Sequence, residues 1–227
     1  MFGTVFNAGM ILAGCLIGSM LNKGLKEEYH HILMQAMGLV ALGLGIDALV
    51  QHLPHSKYPV LFIVSLAAGG VIGQKLGLES RFNKLVNKYS KGNLAEGLAT
   101  AILLFCIGTL SILSPVEAAL KGDYTYLLAN GMLDGITSIV LASTFGIGIA
   151  ISAIILFAWQ GSIYAVATII GNALNPDLLN EITIIGGMLI IASGLSILGI
   201  KKFNTLNLLP SLLVPVIVFG FIHVFHL

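Results

Sequence analysis

Apolar residues run along this chain in long blocks separated by short polar breaks. Six blocks are clear, at 3–22, 31–51, 58–76, 95–114, 182–200 and 207–226. Each is long enough to cross a hydrocarbon core of about 30 Å at about 1.5 Å per residue. A longer stretch, Leu127 to Ile170, holds one charged residue, Asp134, in 44 positions. As a single helix it would measure about 66 Å, twice the membrane. It is therefore expected to break at Ser143-Thr144-Phe145-Gly146-Ile147-Gly148, because glycine weakens a helix and permits a turn. The pattern predicts an all-α, polytopic bundle of eight spans, forming a single membrane domain over 1–227.

The positions of the basic residues test the count independently, because Lys and Arg concentrate in cytoplasmic loops. With eight spans, Lys23, Lys26, Lys75, Arg81, Lys84, Lys88, Lys91, Lys201 and Lys202 face one side, and only Lys57 and Lys121 face the other. With seven spans, Lys201 and Lys202 change sides and the asymmetry shrinks. Eight spans are favoured, with both termini outside the cytoplasm. The first block lacks a basic leader and is too long for the apolar part of a signal peptide, so it reads as a retained span. Between the third and fourth spans, residues 78–93 place Phe82, Leu85, Val86 and Tyr89 at helical spacing opposite Arg81, Lys84, Lys88 and Lys91. That is the pattern of an interfacial amphipathic helix drawn to anionic lipid.

Composition narrows the classes further. Of 227 residues, 57% are hydrophobic and 9% charged, against about 25% charged in a soluble domain. A soluble globule, a disordered tail and a DNA-binding module are excluded, so no nucleic-acid partner is expected. Cys15 and Cys106 both lie inside apolar runs and read as small packing residues, not as a disulfide or metal framework.

The chain also echoes itself. Gly18, Leu21, Asn22 and Leu25 match Gly171, Leu174, Asn175 and Leu178 in spacing, and the glycine-rich run at 37–46 matches 186–197. Pro59 and Pro210 then follow near the start of the next span. Spans one to three thus correspond to spans six to eight. The offset is five helices, an odd number, so the two units would have opposite orientation. Inverted repeats of this kind typify transporters and some channels, with the site near the midplane where the repeats meet.

An ordered set of motifs runs through the chain: Asn7, the run from Gly38 to Ile46, Leu104-Phe105-Cys106-x-Gly108, and Gly122-Asp123 leading to Leu133-Asp134. Gly186-Gly187 through Lys201 and Asn207-x-Leu-Pro210-x-Leu212 complete it. As a set these resemble the YqgA-like DUF554 family of bacterial integral membrane proteins, over nearly the whole length. The resemblance implies a bacterial plasma membrane location and, by general expectation, transport; it implies no substrate and no catalytic residue. The family pattern often carries a lysine four residues before the aspartate. Asn130 stands there in this chain, so Asp134 lacks that counter-charge.

Asp134 is the strongest chemical signal. An ionised aspartate in mid-span costs about 2.5–3.5 kcal/mol on insertion scales and is expected to face the bundle interior or a water-filled cavity. Asn130, Thr137 and Ser138, at helical spacing around it, add a polar stripe, and Gly131 and Gly135 form a small-residue ridge beside it. With no basic residue expected at that depth, the carboxyl is either protonated or neutralised by a bound cation. Asn7 and Gln160, on spans that correspond in the repeat, are expected near the same midplane point, with hydroxyls from Thr4, Ser152 and Ser162 in support. The competing reading for each is an interhelical hydrogen bond that serves packing alone. Asp47 falls in the last turn of span two as an interfacial residue. His52, His55, His223 and His226 fall on the outer side without fixed ligand spacing, so no metal site and no cofactor are expected. Gly14/Gly18 and Gly69/Gly73 match close-packing motifs, and such faces would also serve a homo-oligomer.

Three classes follow. The first is a secondary transporter of a small solute or ion, proton- or cation-coupled through Asp134, or a channel of the same inverted-repeat architecture. The second is a membrane-embedded enzyme, disfavoured because no paired acids or histidines gather at membrane depth. The third is a non-transporting structural or sensory protein, for which residues 77–94 leave little room for an output domain.

Overall fold

The computed structural model describes residues 1–21, 26–81, 84, 93–107, 109–171 and 176–225. Among these, every regular element is helical. The helices are α1 (Phe2–Met20), α2 (Glu27–His52), α3 (Leu61–Leu76), α4 (Asn93–Ile107), α5 (Thr109–Leu120) and α6 (Thr125–Phe145), followed by α7 (Ile151–Gly171), α8 (Pro176–Ile197), α9 (Thr205–Leu208) and α10 (Leu213–Phe225). Short 3-10 turns at Leu53–His55, Ile147–Ala150 and Leu209–Leu212 extend or join them. Eight helical stretches are long and apolar enough to cross a membrane: Phe2–Met20, His31–His55, Leu61–Arg81, Thr100–Leu120, Thr125–Phe145, Ile147–Ile169, Pro176–Ile197 and Thr205–Ile222.

The long apolar stretch breaks where its glycines predict. Helix α6 ends at Phe145, and Gly146 takes φ 89° and ψ 174° before the 3-10 turn leads into α7. A side chain there would be strained, whereas glycine adopts the geometry freely. Helix packing supports the resulting count. Gly38 meets Gly194 and Leu198, while Gly45 meets Gly187 and Ile191, so α2 and α8 run antiparallel. The second and seventh of eight spans must do so; without the break they would be second and sixth, and parallel.

Two of the spans shift by as much as six residues from the apolar blocks. The fourth runs Thr100–Leu120, not 95–114, and the seventh runs Pro176–Ile197, not 182–200. The cause is the same in both. Glu117 and Glu181 look like loop residues by hydropathy, yet each lies inside its helix and is almost fully buried. The amphipathic segment expected at 78–93 is described only at 78–81, Lys84 and Asn93; Phe82, Leu85, Val86, Lys88, Tyr89 and Lys91 lie outside the described residues.

The chain forms two compact units, Met1–Met37 with Asn83–Asn172, and Gly38–Phe82 with Ala173–Leu227. In the first, α1 and α6 pack in parallel along a glycine seam. Gly3 lies against Leu127, Gly131 against Phe6 and Asn7, Gly14 against the Gly135 carbonyl, and Gly18 against the Ile139 carbonyl. A methyl group at Gly14 or Gly18 would overlap backbone, so the helices approach as small-xxx-small pairs do. Below the midpoint of α1, an apolar core gathers Ile11, Cys15, Ala101, Phe105, Cys106, Leu141, Ala142, Ile149, Ala153 and Leu156.

In the second unit, α3 presses Gly69 and Gly73 against Ser211 and Asn207 of the broken helix at 205–212. Asn207 donates to Gln74 Oε1 (2.9 Å) and accepts from the Glu79 backbone N–H (3.0 Å). At the other end, Glu181 Oε1 accepts from Ser56 Oγ (2.7 Å) and the Tyr58 N–H (3.2 Å), clasping the turn that enters α3. His52 and Asn180 exchange two hydrogen bonds beside it. A buried carboxylate is tolerated here because its acceptor capacity is used.

Candidate functional site

Four helices of the first unit bring polar side chains to one buried place. Asp134 lies at the middle of α6 and is 6% exposed. One turn earlier on the same helix, Asn130 donates from Nδ2 to Asp134 Oδ2 at 3.0 Å. Asn7 of α1 faces the same carboxyl. It also donates from Nδ2 to Gln160 Oε1 of α7 at 3.2 Å, and Gln160 Nε2 in turn donates to Ser111 Oγ of α5 at 3.3 Å. The result is a hydrogen-bonded run Ser111–Gln160–Asn7 beside the Asn130–Asp134 pair, every member buried.

Local sequence explains how each group gets there. On α6, residues 130, 134 and 138 repeat every four positions and share one face; Gly131 and Gly135 on the flank let α1 approach until Asn7 reaches that face. Gln160 lies one turn after Leu156 on the buried face of α7, whose intervening residues Phe157, Ala158 and Trp159 are exposed. Ser111 sits four residues before Pro115, which lies inside α5. Proline has no N–H, so the Ser111 carbonyl loses its ordinary helical donor at the point where its hydroxyl meets Gln160.

The network is not saturated. Among the described residues, Thr4 Oγ1, Asn7 Oδ1 and Ser138 Oγ are buried without a geometric hydrogen-bond partner. Buried polar atoms are nearly always paired, and leaving one unpaired costs about 1–3 kcal/mol. Thr4 precedes Asn7 by one turn of α1, and Ser138 follows Asp134 by one turn of α6, so unpartnered oxygens flank the carboxyl along the seam. An oxygen-rich, largely uncharged set of this kind is suited to a proton or a hard cation.

The expected site residues divide cleanly. Asp134, Asn130, Asn7 and Gln160 meet, Ser138 is buried one turn away, and Thr137 is half-buried on the flank. The Asn130 amide, not a basic residue, is bonded to the Asp134 carboxyl. Ser152 turns to the Ile149 carbonyl, and Ser162 is exposed and turns to the Trp159 carbonyl, so neither joins. Asp47 is exposed and accepts from Gln51 at 2.7 Å. His52 is tied to Asn180 and His55 is exposed; the His223 side chain and His226 lie outside the described residues. Among the described residues, no three His, Cys, Asp or Glu gather as a metal site would require.

Ser111 and Glu117 are the members that hydropathy missed. Glu117 is 4% exposed and paired with Lys121 at 3.0 Å. The signal was present as Ser111, Ser114, Glu117 and Lys121, spaced by three, three and four along an otherwise apolar segment, which is one helical face.

Comparison with known proteins places the chain. A family model described as "Protein of unknown function (DUF554)" matches residues 2–220. An "Uncharacterized membrane protein YdfK" of Bacillus subtilis (strain 168) is 70% identical over 227 residues, covering 100% of this chain and 99% of the relative. An "Uncharacterized protein YqgA" of Escherichia coli (strain K12) is 28% identical over 222 residues, covering 93% of each. No solved structure matches. The chain belongs to the DUF554 family and is a membrane protein.

Proposed function

We propose that this DUF554 member is a secondary transporter of a small solute or ion across the bacterial plasma membrane, coupled to a proton or cation through Asp134. One observation carries the reading: a carboxyl at mid-span, bonded to the neutral Asn130 amide and flanked by oxygens that have no partner among the described residues. Helix packing alone would be served by apolar side chains at no desolvation cost. Ionisable groups held at membrane depth mark ion and substrate pathways. No nucleophile with an adjacent base accompanies the carboxyl, so the reading assigns it no catalytic role.

Two features support an inverted repeat, the architecture on which alternating access runs in many transporters. In the second unit the glycines of α2 and α8 contact one another reciprocally, Gly38 with Gly194 and Gly45 with Gly187. A register offset by 149 positions pairs Gly38 with Gly187 and Gly45 with Gly194, and in that register each glycine meets the counterpart of the other, as a two-fold relation requires. In the first unit, Asn7 and Gln160 are in contact 153 positions apart, the same spacing as between Gly18 and Gly171. The basic residues favour both termini outside the cytoplasm.

The test is flux into proteoliposomes across a panel of monovalent and divalent ions and small metabolites, comparing the natural sequence with Asp134→Asn. Transport by the natural protein that disappears in the variant supports the reading. Undiminished transport by the variant removes Asp134 from the mechanism, and silence of the natural protein across the panel removes transport.

A further inference from the structure

The two halves of the first unit differ in polarity. Toward the end where α1 and α6 begin and α5 finishes, α5 presents Ser111, Ser114 and Glu117 on one buried face, with Lys121 at its edge. Phe2 meets Tyr124 edge-on at this end, and Tyr164 hydrogen-bonds Tyr124. Toward the opposite end, the space between the helices is filled by Ile11, Phe105, Leu141 and Leu156. Ser152 at this end and Ser114 at the other both bond their own backbone, at the Ile149 and Leu110 carbonyls, so the two ends differ by the buried Glu117 carboxylate and Ser111 on one side against apolar side chains on the other.

Glu117 is paired with Lys121 but occupies a costly position. It lies in the last turn of α5, where a negative charge opposes the helix dipole, and burying a carboxylate is costly. Pro115 is likewise unfavourable inside a helix, and its effect is to release the Ser111 carbonyl toward the same face. The unpaired Thr4 Oγ1 and Asn7 Oδ1 lie on the neighbouring helix at the same half of the bundle. Among the described residues, the buried oxygens of Glu117, Ser114 and Ser111 lie between the Lys121 end and Gln160, and beyond Ser138 the apolar cluster takes over.

We propose that the Ser111–Ser114–Glu117 face of α5 is an access route for a proton or an alkali-metal cation, opening from the Lys121 end to the Asp134 centre. The apolar cluster around Phe105 closes the centre from the other end. The proposal rests on the cation-site reading of Asp134. Lys121 stands at the mouth as the resident partner of Glu117, and an entering cation takes its place on the carboxylate. By the orientation proposed above, the mouth is extracytoplasmic.

Thiol accessibility tests this without requiring transport. In a background with Cys15→Ala and Cys106→Ala, Ser111→Cys, Ser114→Cys and Ala153→Cys are reconstituted in vesicles of known sidedness. Each face is exposed to silver ion, a small thiol-reactive cation, or to the anionic 2-sulfonatoethyl methanethiosulfonate. Ser111→Cys and Ser114→Cys should be blocked by silver from the Lys121 side, about tenfold or more faster than by the sulfonate. Glu117→Gln should remove most of that preference, and Ala153→Cys should stay unreactive from that side. Equal rates for the two reagents, or no reaction at both serine positions from that side, overturns the route. Flux that depends on Asp134 without such labelling would sink the route and leave the transport reading standing; labelling without flux would do the reverse.

Discussion

Asn7 on α1 and Gln160 on α7 are joined by a 3.2 Å hydrogen bond, and both side chains are fully buried. The bond links the glycine-packed pair α1–α6 to the helices α5 and α7, because Gln160 holds Ser111 with its other end. It is the contact that carries the buried polar run from α1 through α7 to α5.

A double-mutant cycle on this pair, with Asn7→Leu, Gln160→Leu and the double variant, should give a coupling energy of about 0.5–2 kcal/mol in detergent unfolding. Gln160→Leu alone should cost more stability than Ser111→Ala, since it orphans Asn7 Nδ2 as well as the Ser111 hydroxyl. Additive effects would mean that the two amides act independently.

Asp134→Asn preserves shape and an acceptor for Asn130, so folding stability should stay within about 1 kcal/mol of the natural sequence. Transport, where present, should fall to background. Asp134→Leu leaves Asn130 Nδ2 unpaired and should be the less stable of the two, by about 1–3 kcal/mol. Thermal unfolding of both variants, measured alongside flux, separates the two effects.

Gly14→Ala should destabilise by about 1–3 kcal/mol, because the added methyl meets the backbone carbonyl of Gly135 and the helices must part. Gly9→Ala on the same helix meets nothing within reach and should be neutral or stabilising by up to about 1 kcal/mol. Comparable losses at both positions would show that the seam is not what limits approach.

Glu181→Gln retains a side-chain carbonyl for Ser56 and Tyr58 and should be mild. Glu181→Leu removes the acceptor from both donors and should cost about 1–3 kcal/mol. Proteolysis at the 53–60 turn should rise in the leucine variant and not in the glutamine one.

Much of this was legible from the apolar blocks. The eight spans, the break at Gly146 and the inward face of Asn130 and Asp134 follow from segment length, glycine and helical spacing, which are local properties. Glu117 and Glu181 were not legible, because hydropathy assigns any carboxylate to a loop and does not register the Lys121, Ser56 and Tyr58 groups that make burial tolerable. Ser111 was hidden for a related reason: a single serine in an apolar run has no weight until Gln160, 49 positions away, comes within 3.3 Å. Ser152 and Ser162 went the other way, since a hydroxyl on a helix can satisfy itself on the preceding turn.

The glycine seam has a mechanical consequence. Where helices meet through side chains, rotamer changes let them slide; at Gly14 and Gly18 the contact is backbone to backbone, with no rotamers to exchange. Helices α1 and α6 should therefore travel as one body, carrying Asn7, Asn130 and Asp134 together. Relative movement is left to α5 and α7, and it must stretch or break the Asn7–Gln160 bond.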